Sequence, residues 1–272
     1  MKQKMKIGVI ISTYNNPKWL EKTLIGYQYQ TRPADEIIIA DDGSREETRV
    51  LIESFKNRLP IRHVWHEDKG WRKWRILNAA IKASTADYLI FTDQDCIPRK
   101  DFIAVHESYA EEGYFLSGGY FKLPSDISEE ITENDIASGV IFNYKWLKSK
   151  GFKWNFKCTK LSGCKAFTKL MNHITTAKAS WNGMNSSTWR KNFIAANGFN
   201  NTMLYGGADR EFGERLFNMG LKSKQIRYSA ITLHLFHKRP YRNQEAWDYN
   251  NAVRKQTKKN KTVATESGIN QI

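Results

Sequence analysis

The sequence predicts an α/β fold, in which a mainly parallel sheet flanked by helices continues into a more irregular lobe. Over roughly residues 6–92, short β-branched apolar runs alternate with helical patterns, which is typical of a doubly wound sheet. The alternation stops after about residue 122, and residues 123–178 are first acidic and then basic and aromatic. A chain of 272 residues with 40% hydrophobic content is long enough for one large unit or two closely packed lobes.

The individual elements follow from the spacing of apolar residues and from the polar residues that end each run. In chain order we expect strand 6–13, a helix from Pro17 to about residue 30, strand 37–40, a helix to about residue 55, strand 61–65, helix 72–83 and strand 88–92. Residues 181–221 favour two helices separated by a Gly-rich loop, and residues 226–236 favour a returning strand. Residues 258–272 carry few large apolar side chains, which predicts a loose tail.

Composition excludes several classes of protein. A mean hydropathy of -0.61 and the absence of an apolar run of about 18 residues exclude an integral membrane protein. Three cysteines without CxxC or His/Cys spacing exclude a disulfide scaffold and a zinc finger. The first residues lack the pattern of a signal peptide, so we expect a cytoplasmic protein. The 43 basic and 28 acidic residues give a net charge of +15, which indicates an anionic partner.

The basic charge is concentrated in residues 144–169, where lysines alternate with aromatic side chains. This pattern predicts a surface for an anionic and partly apolar partner, and hence peripheral contact with the inner face of an anionic membrane. The residues concerned are Lys145, Lys148, Lys150, Lys153, Lys157, Lys160, Lys165 and Lys169, with Trp146, Phe152, Trp154, Phe156 and Phe167.

Polar clusters follow three of the expected strands, at residues 12–15, 41–44 and 93–95. In a parallel sheet the carboxyl ends of the strands meet at one edge, and ligands bind there. The third cluster, Asp93-Gln94-Asp95, places two carboxylates one residue apart. Oxygen ligands suit a hard divalent cation, so we expect Mg²⁺ or Mn²⁺. A polar turn that only caps the strand is the alternative.

Four segments, IISTYN, IIIADDGS, HEDKGWRKWRILNAAI and DYLIFTDQDCIP, together resemble the nucleotide-sugar-binding half of family 2 glycosyltransferases, which have the Rossmann-like GT-A fold. The resemblance covers about residues 6–122. It implies that the nucleotide-sugar donor contacts Thr13 and Asp42 at the nucleobase, Asp68 and Arg72 beside it, and Asp93 at the ribose, while Asp95 binds the cation. Lys69 and Arg75 are further candidates for phosphate contact, with exposed helix-end charges as the alternative.

The run GMNSSTWRKNFIAANGFNNTMLYGGADREFGERL resembles the catalytic region of galactosyltransferase-type enzymes, whose pattern is Gly-Gly-Glu-Asp. Ala208 stands at the Glu position, so acceptor recognition differs or Glu211 substitutes. The resemblance implies that Asp209 is the general base, because a carboxylate can take the proton from an acceptor hydroxyl. Direct attack then inverts the anomeric carbon. The alternative is that Asp209 and Glu211 only cap the following helix.

Two further parts of the chain resemble segments of the same enzymes. Trp181 occupies the loop where relatives place an aromatic platform for a sugar, and a core position is the alternative. In ITLHLFHKRPY, His234 is implied as a second ligand of the cation. Strand alternation would turn His237 away from His234, so we expect His237 near the diphosphate and not as a ligand. The alternative is that both are strand-end histidines hydrogen bonded to the backbone. The basic residues Lys238, Arg239 and Arg242 favour a diphosphate there.

These features predict a nucleotide-sugar-binding half (1–122), an acceptor-binding and catalytic half (123–244) and a basic C-terminal segment (245–272). The expected activity is metal-dependent, inverting transfer from a nucleoside diphosphate sugar, a UDP-sugar, to a glycan or lipid-linked saccharide of a cell-surface polysaccharide. A catalytically silent sugar-nucleotide-binding relative is one alternative. A nucleic-acid-binding protein is another alternative, but recognition signatures are missing and strand-end carboxylates repel phosphates, so we expect no nucleic acid.

Overall fold

The computed structural model describes residues 5–238 and 243–272. Its strands are β1 (Ile7–Thr13), β2 (Glu36–Asp41), β3 (Ile61–Trp65), β4 (Tyr88–Asp93), β5 (Cys96–Pro98), β6 (Tyr114–Ser117), β7 (Gly119–Lys122), β8 (Ser186–Trp189), β9 (Lys222–Gln225) and β10 (Ile231–His234). Its α-helices are α1 (Pro17–Gln28), α2 (Glu46–Phe55), α3 (Lys73–Ala83), α4 (Phe102–Tyr109), α5 (Ser125–Glu130), α6 (Glu133–Ser138), α7 (Tyr144–Ser149), α8 (Lys165–Ile174), α9 (Arg190–Ala195), α10 (Ala208–Asn218) and α11 (Gln244–Lys259).

The main sheet has the strand order β3-β2-β1-β4-β8-β6-β9. Its first four strands pair in parallel, and β8 runs antiparallel between β4 and β6. Every residue of β1 is buried, which explains the uninterrupted apolar run of this central strand, since helices cover both faces of the sheet. The predicted α/β fold with a mainly parallel sheet is confirmed.

A smaller sheet, in the order β5-β10-β7, lies beside the main one. Strand β10 pairs antiparallel with β5, so that His234 is opposite Cys96. The sequence pattern predicts the returning strand over 226–236, but a regular strand is formed only by residues 231–234. The short β5 follows directly after the Asp93-Gln94-Asp95 sequence, and its pairing brings the late part of the chain to the strand ends of the early part.

The apolar side chains form two clusters on opposite faces of the main sheet. Ile7, Val9 and Ile11 of β1 belong to one cluster, and Ile10 of the same strand belongs to the other. This division follows from the alternation of side chains along a strand. The irregular lobe after residue 122 contributes to the first cluster through α5, α6 and α7, so it packs as part of the same unit.

The C-terminal residues are docked, where composition predicts a loose tail. Asn197 donates to the carbonyl of Thr265 (2.7 Å) and to Asn270 (2.8 Å), and Asn201 donates to the carbonyl of Gly268 (2.9 Å). Polar contacts therefore hold this segment, and hydropathy alone could not have indicated them. Within the described ranges, no helix is long and apolar enough to cross a bilayer.

Candidate functional site

A cavity of about 1270 Å³ opens at the carboxyl ends of β1, β2 and β4. Residues from each of the three predicted strand-end clusters line it, with Asp42 alone from the second cluster, together with residues from the loop before α10 and from the start of α11. The polar strand ends therefore share one pocket, as we expected. The lining residues that bear on the chemistry are Thr13, Asp42, Lys73, Asp93, Asp95, Asp209, His234, His237 and Trp247.

At one end of the cavity, Thr13 is the last residue of β1 and Asp42 follows β2. The Thr13 hydroxyl donates to the side chain of Gln94, and the buried Asp42 carboxylate is hydrogen bonded to His66 Nε2 (2.7 Å) and to the backbone N–H of Arg72 (3.0 Å). These contacts fix the two side chains, so this end is preformed. Sequence reasoning missed His66, whose distance of 24 residues from Asp42 leaves no local signal.

Asp68 and Arg72 do not line the cavity formed by the described residues. Asp68 accepts a hydrogen bond from the Tyr14 hydroxyl (2.9 Å), and this bond raises the pKa of Tyr14. The Arg72 guanidinium bonds to the carbonyl of Glu67. Both residues therefore shape the loop that borders the cavity, and Gly43 allows Asp68 to approach because a Cβ there would come within 2.6 Å of the Asp68 Cα.

Asp93 is paired with a lysine that the sequence did not single out. Lys73, the first residue of α3, lies with its Nζ 2.6 Å from Asp93 Oδ1, and the Ser12 hydroxyl donates to the same oxygen. Burial raises the pKa of Asp93, but the Lys73 ammonium and these hydrogen bonds outweigh it and lower the pKa overall. The phosphate candidates Lys69 and Arg75 do not reach the cavity: Lys69 pairs with Glu67, and Arg75 is exposed on α3.

Asp95, His234 and His237 form a cluster in which one ligand atom from each lies within 4.8 Å of the others. His237 Nε2 is 3.1 Å and His234 Nε2 is 3.9 Å from Asp95 Oδ2. Each histidine has its Nδ1 at a backbone carbonyl, of Leu235 (2.8 Å) and Lys238 (3.0 Å). An Nδ1–H that donates there leaves the Nε2 lone pair available to a metal ion. Two imidazoles and a carboxylate fit a divalent cation such as Mn²⁺.

The position of His237 corrects the expectation that it would point away from His234. The two rings are stacked with centroids 5.3 Å apart. Alternation fails because β10 ends at His234, and the irregular backbone beyond it returns His237 to the same side. Of the basic residues that follow, Lys238 lines the cavity, whereas Arg239 and Arg242 lie outside the described residues.

Asp209 lies at the start of α10 and lines the same cavity. Its Oδ1 accepts the N–H of Arg210 (2.9 Å) and its Oδ2 the N–H of Gly183 (3.4 Å). Burial raises the pKa of Asp209 above the ordinary value for an aspartate, and these hydrogen bonds oppose the change only in part. A carboxylate with a raised pKa is a better proton acceptor, which suits a general base. The N-cap position itself is taken by Gly207.

Two candidates for acceptor contact are not in the cavity. Trp181 is fully buried between Phe91, Phe193 and Phe212, with ring centroids 5.0–5.8 Å away, so it is a core residue and not a sugar platform. Glu211 is also buried and pairs with Arg215 at 2.9 Å, so it cannot substitute for the carboxylate missing at Ala208. Both errors have the same cause, because the sequence does not show which side of the loop or helix faces the core.

The fold and the strand-end site define the GT-A class of glycosyltransferase folds. The family model "Glycosyl transferase family 2" matches residues 8–172, and the model "N-terminal domain of galactosyltransferase" matches residues 168–238. The chain belongs to glycosyl transferase family 2, and the family resemblance expected from the sequence is confirmed.

Curated relatives share this assignment over different lengths. Chondroitin synthase of Escherichia coli is 26% identical over 240 residues, which is 81% of this chain and 33% of that protein. The uncharacterized glycosyltransferase YfnE of Bacillus subtilis is 35% identical over 43% of this chain and 31% of its own length. This chain therefore spans about a third of the length of each of these two relatives.

Solved structures agree on the fold. The mannosyltransferase PcManGT from Pyrobaculum calidifontis, in complex with GDP-Man and Mn²⁺, has a TM-score of 0.57 at 18% identity and covers 88% of this chain and 59% of its own. TarS of Staphylococcus aureus, residues 1–349 with UDP-GlcNAc, has a TM-score of 0.57 at 15% identity and covers 87% and 60%. Identities this low support the shared GT-A fold alone.

Proposed function

We propose that this protein transfers one sugar from a UDP-sugar to a hydroxyl group of a glycan, with inversion at the anomeric carbon. The observation that supports this proposal is a single cavity lined by both a carboxylate–histidine cluster and a separate, half-buried carboxylate with a raised pKa. Inversion is proposed because one base is sufficient for direct displacement. The TarS complex with UDP-GlcNAc favours a UDP-sugar, although the PcManGT complex contains GDP-Man.

In this proposal Asp95, His234 and His237 hold a divalent cation, Mn²⁺ or Mg²⁺, which neutralises the charge of the departing diphosphate when it is bound. Thr13 and Asp42 contact the nucleoside, with Asp68 and Arg72 in supporting positions, and Asp93 accepts a ribose hydroxyl while Lys73 keeps it ionised. Asp209 Oδ takes the proton from the acceptor hydroxyl as that oxygen attacks the sugar.

The acceptor we propose is a saccharide of a cell-surface polysaccharide, presented on a lipid. Two relatives support the class of acceptor by name, chondroitin synthase and the poly(ribitol-phosphate) β-N-acetylglucosaminyltransferase TarS. The location would be the inner face of the membrane. The exposed lysines and apolar side chains between residues 153 and 174 provide the contact.

Part of the surface predicted from residues 144–169 is not free, because Trp146 and Phe152 pack against the core and Lys150 pairs with Glu130. We define the basic aromatic surface as the exposed residues Lys153, Trp154, Phe156, Lys157, Lys165, Lys169, Leu170 and Ile174. Trp154 and Phe156 are more than 60% exposed, which is unusual for side chains of this size. Leu170 and Ile174 are one turn apart on α8, and they are 56% and 58% exposed. Exposed apolar side chains with lysines nearby in the sequence are suited to the boundary between lipid headgroups and acyl chains.

The central experiment compares nucleotide sugars without an acceptor. UDP-sugars and GDP-sugars are added singly to the protein with Mn²⁺ or Mg²⁺, and the melting temperature and release of free nucleotide are measured. We expect a UDP-sugar to raise the melting temperature and to be hydrolysed slowly, and both effects to require the cation. Full hydrolysis in excess EDTA would contradict the metal site. Stabilisation by GDP-sugars alone would contradict the choice of UDP.

A further inference from the structure

The C-terminal helix α11 brings an aromatic side chain to the cavity. Trp247, in the first turns of this helix, lines the cavity and remains 44% exposed. Its ring lies directly on the backbone of Gly206, where an added Cβ would come within 2.6 Å of the ring atom Cε3. Gly206 has a φ of +104°, which glycine adopts without strain. The indole is therefore placed beside the loop that leads to Asp209.

Polar contacts fix α11 in this position. The fully buried Asn250 donates to the carbonyls of Leu204 (2.9 Å) and Gly206 (2.6 Å) and accepts the N–H of Leu204 (3.1 Å). One turn further along α11, Arg254 pairs with Glu214 of α10 at 2.6 Å. These contacts hold α11 against the loop before α10, so the Trp247 ring is fixed at the cavity wall before a ligand binds.

Beside Asp209, the two positions expected to offer a further carboxylate to the acceptor sugar do not do so. Ala208 has no polar side chain and is buried, and Glu211 is committed to Arg215. An indole offers a large, rigid apolar face, and a pyranose ring presents a face of C–H groups that can pack against it. Trp247 therefore offers, close to Asp209, a surface that can recognise a sugar ring by its face.

We propose that Trp247 packs against the acceptor sugar and that α11 forms the acceptor-side wall of the site. This inference rests on the proposed glycosyl transfer. Helix α11 lies beyond residue 238, where the second family match ends, so this wall belongs to the part of the chain outside both family matches. The class of ligand is a neutral hexose or N-acetylhexosamine unit at the end of the acceptor.

Saturation-transfer NMR tests this assignment with methyl β-glycosides of glucose, galactose, N-acetylglucosamine and N-acetylgalactosamine, each added with UDP and Mn²⁺. The variants are Trp247→Ala, Trp247→Phe and Tyr249→Ala, the last removing a similarly exposed aromatic from the same helix outside the cavity. We expect Trp247→Ala to weaken binding of the sugar about tenfold, as for an anchoring aromatic residue, and the other two variants to bind nearly as the unchanged protein does.

UDP signals recorded in the same samples distinguish the acceptor role of Trp247 from the proposed glycosyl transfer. Binding of UDP that is unchanged in Trp247→Ala, with loss of the sugar signals, supports the acceptor role. The acceptor role is overturned if Trp247→Ala gives sugar signals equal to those of the unchanged protein, or if this variant binds UDP more weakly. It is also overturned if the unchanged protein gives no sugar signal with any of the glycosides. Failure of the unchanged protein to bind UDP would instead contradict the proposed function. Melting temperatures show whether each variant is folded.

Discussion

Asp93 and Asp95 are separated by one residue, yet they have different partners. Asp93 is neutralised by Lys73, and Asp95 faces the two histidines. The sequence indicates that both carboxylates follow one strand, because β-branched runs and their polar ends are local features. It does not indicate the lysine, because the direction in which the first residue of α3 points depends on how that helix packs on the sheet.

At Asp209 we predict that Asp209→Asn lowers the transfer rate by about 10²- to 10⁴-fold while donor affinity is retained. The amide keeps the size of the side chain but cannot take the acceptor proton. Because burial raises the pKa of Asp209, ionisation is disfavoured in the folded state, and the Asn variant should melt no lower at neutral pH. Transfer rate, donor affinity and melting temperature are measured together. Transfer close to normal would rule out the base assignment.

The same pKa predicts a pH dependence. A base must be ionised, so the rate should fall as the pH falls through the raised pKa of Asp209, at a higher pH than for an ordinary aspartate. The residual rate of Asp209→Asn should not show this acid limb. The profile of kcat/KM against pH checks both statements. If the unchanged protein and Asp209→Asn lose activity identically at low pH, the titrating group is not Asp209.

For His237 we predict that His237→Ala raises the Mn²⁺ concentration needed for half-maximal donor hydrolysis by at least about tenfold, because one of three ligands is lost. His173→Ala is the matched control, since His173 is exposed on α8. A metal titration of both variants gives the comparison. Equal requirements for Mn²⁺ in the two variants would show that His237 is not a ligand.

The secondary-structure elements of the first half were predictable, and those of the second half were less so. Strands β1, β2, β3 and β4 lie where the apolar runs place them, since buried parallel strands have a continuous apolar signal. Strands β5, β7 and β10 have three or four residues each, which is too short for a period to emerge. This is why the position of His237 was predicted wrongly.

At the scale of one element, α8 and the adjoining loop should bind anionic vesicles. Sedimentation with phosphatidylglycerol vesicles should exceed sedimentation with phosphatidylcholine vesicles and should weaken with salt, since exposed charges are screened within about 8 Å at physiological ionic strength. Leu170→Ser should reduce binding by roughly tenfold because an apolar side chain no longer inserts. Val50→Ser, at an equally exposed position on α2, is the control. Equal binding to both lipids would leave the lysines as a solvated surface.

Across the whole molecule, the C-terminal segment closes over the turn at residues 197–201. Asn197 has a φ of +56° and supports the segment through side-chain hydrogen bonds. Such contacts between distant polar residues have no periodic signal, so the prediction of a loose tail failed for a physical reason. The hydropathy of a segment reports the apolar surface it can bury, and it does not report amide hydrogen bonds.

We predict that Asn197→Ala lowers the free energy of unfolding by about 2–4 kcal/mol, through lost hydrogen bonds and a left-handed backbone that alanine tolerates poorly. Asn197→Gly removes the same hydrogen bonds but tolerates the backbone, so it should be less damaging by about 1 kcal/mol. Urea unfolding of the two variants separates the contribution of the hydrogen bonds from that of the backbone conformation. A loss below about 0.5 kcal/mol in both would show that the segment contributes little.

The carboxylate–histidine cluster joins residues about 140 positions apart in the chain, since Asp95 follows β4 and the histidines follow β10. In an unfolded chain such ligands are far apart, so a cation held by all three binds only the assembled fold. By mass action, binding at 100 times the dissociation constant stabilises the assembled fold by about 2.7 kcal/mol. The ion would act as a reversible crosslink between early and late parts of the chain, and chelation would release it.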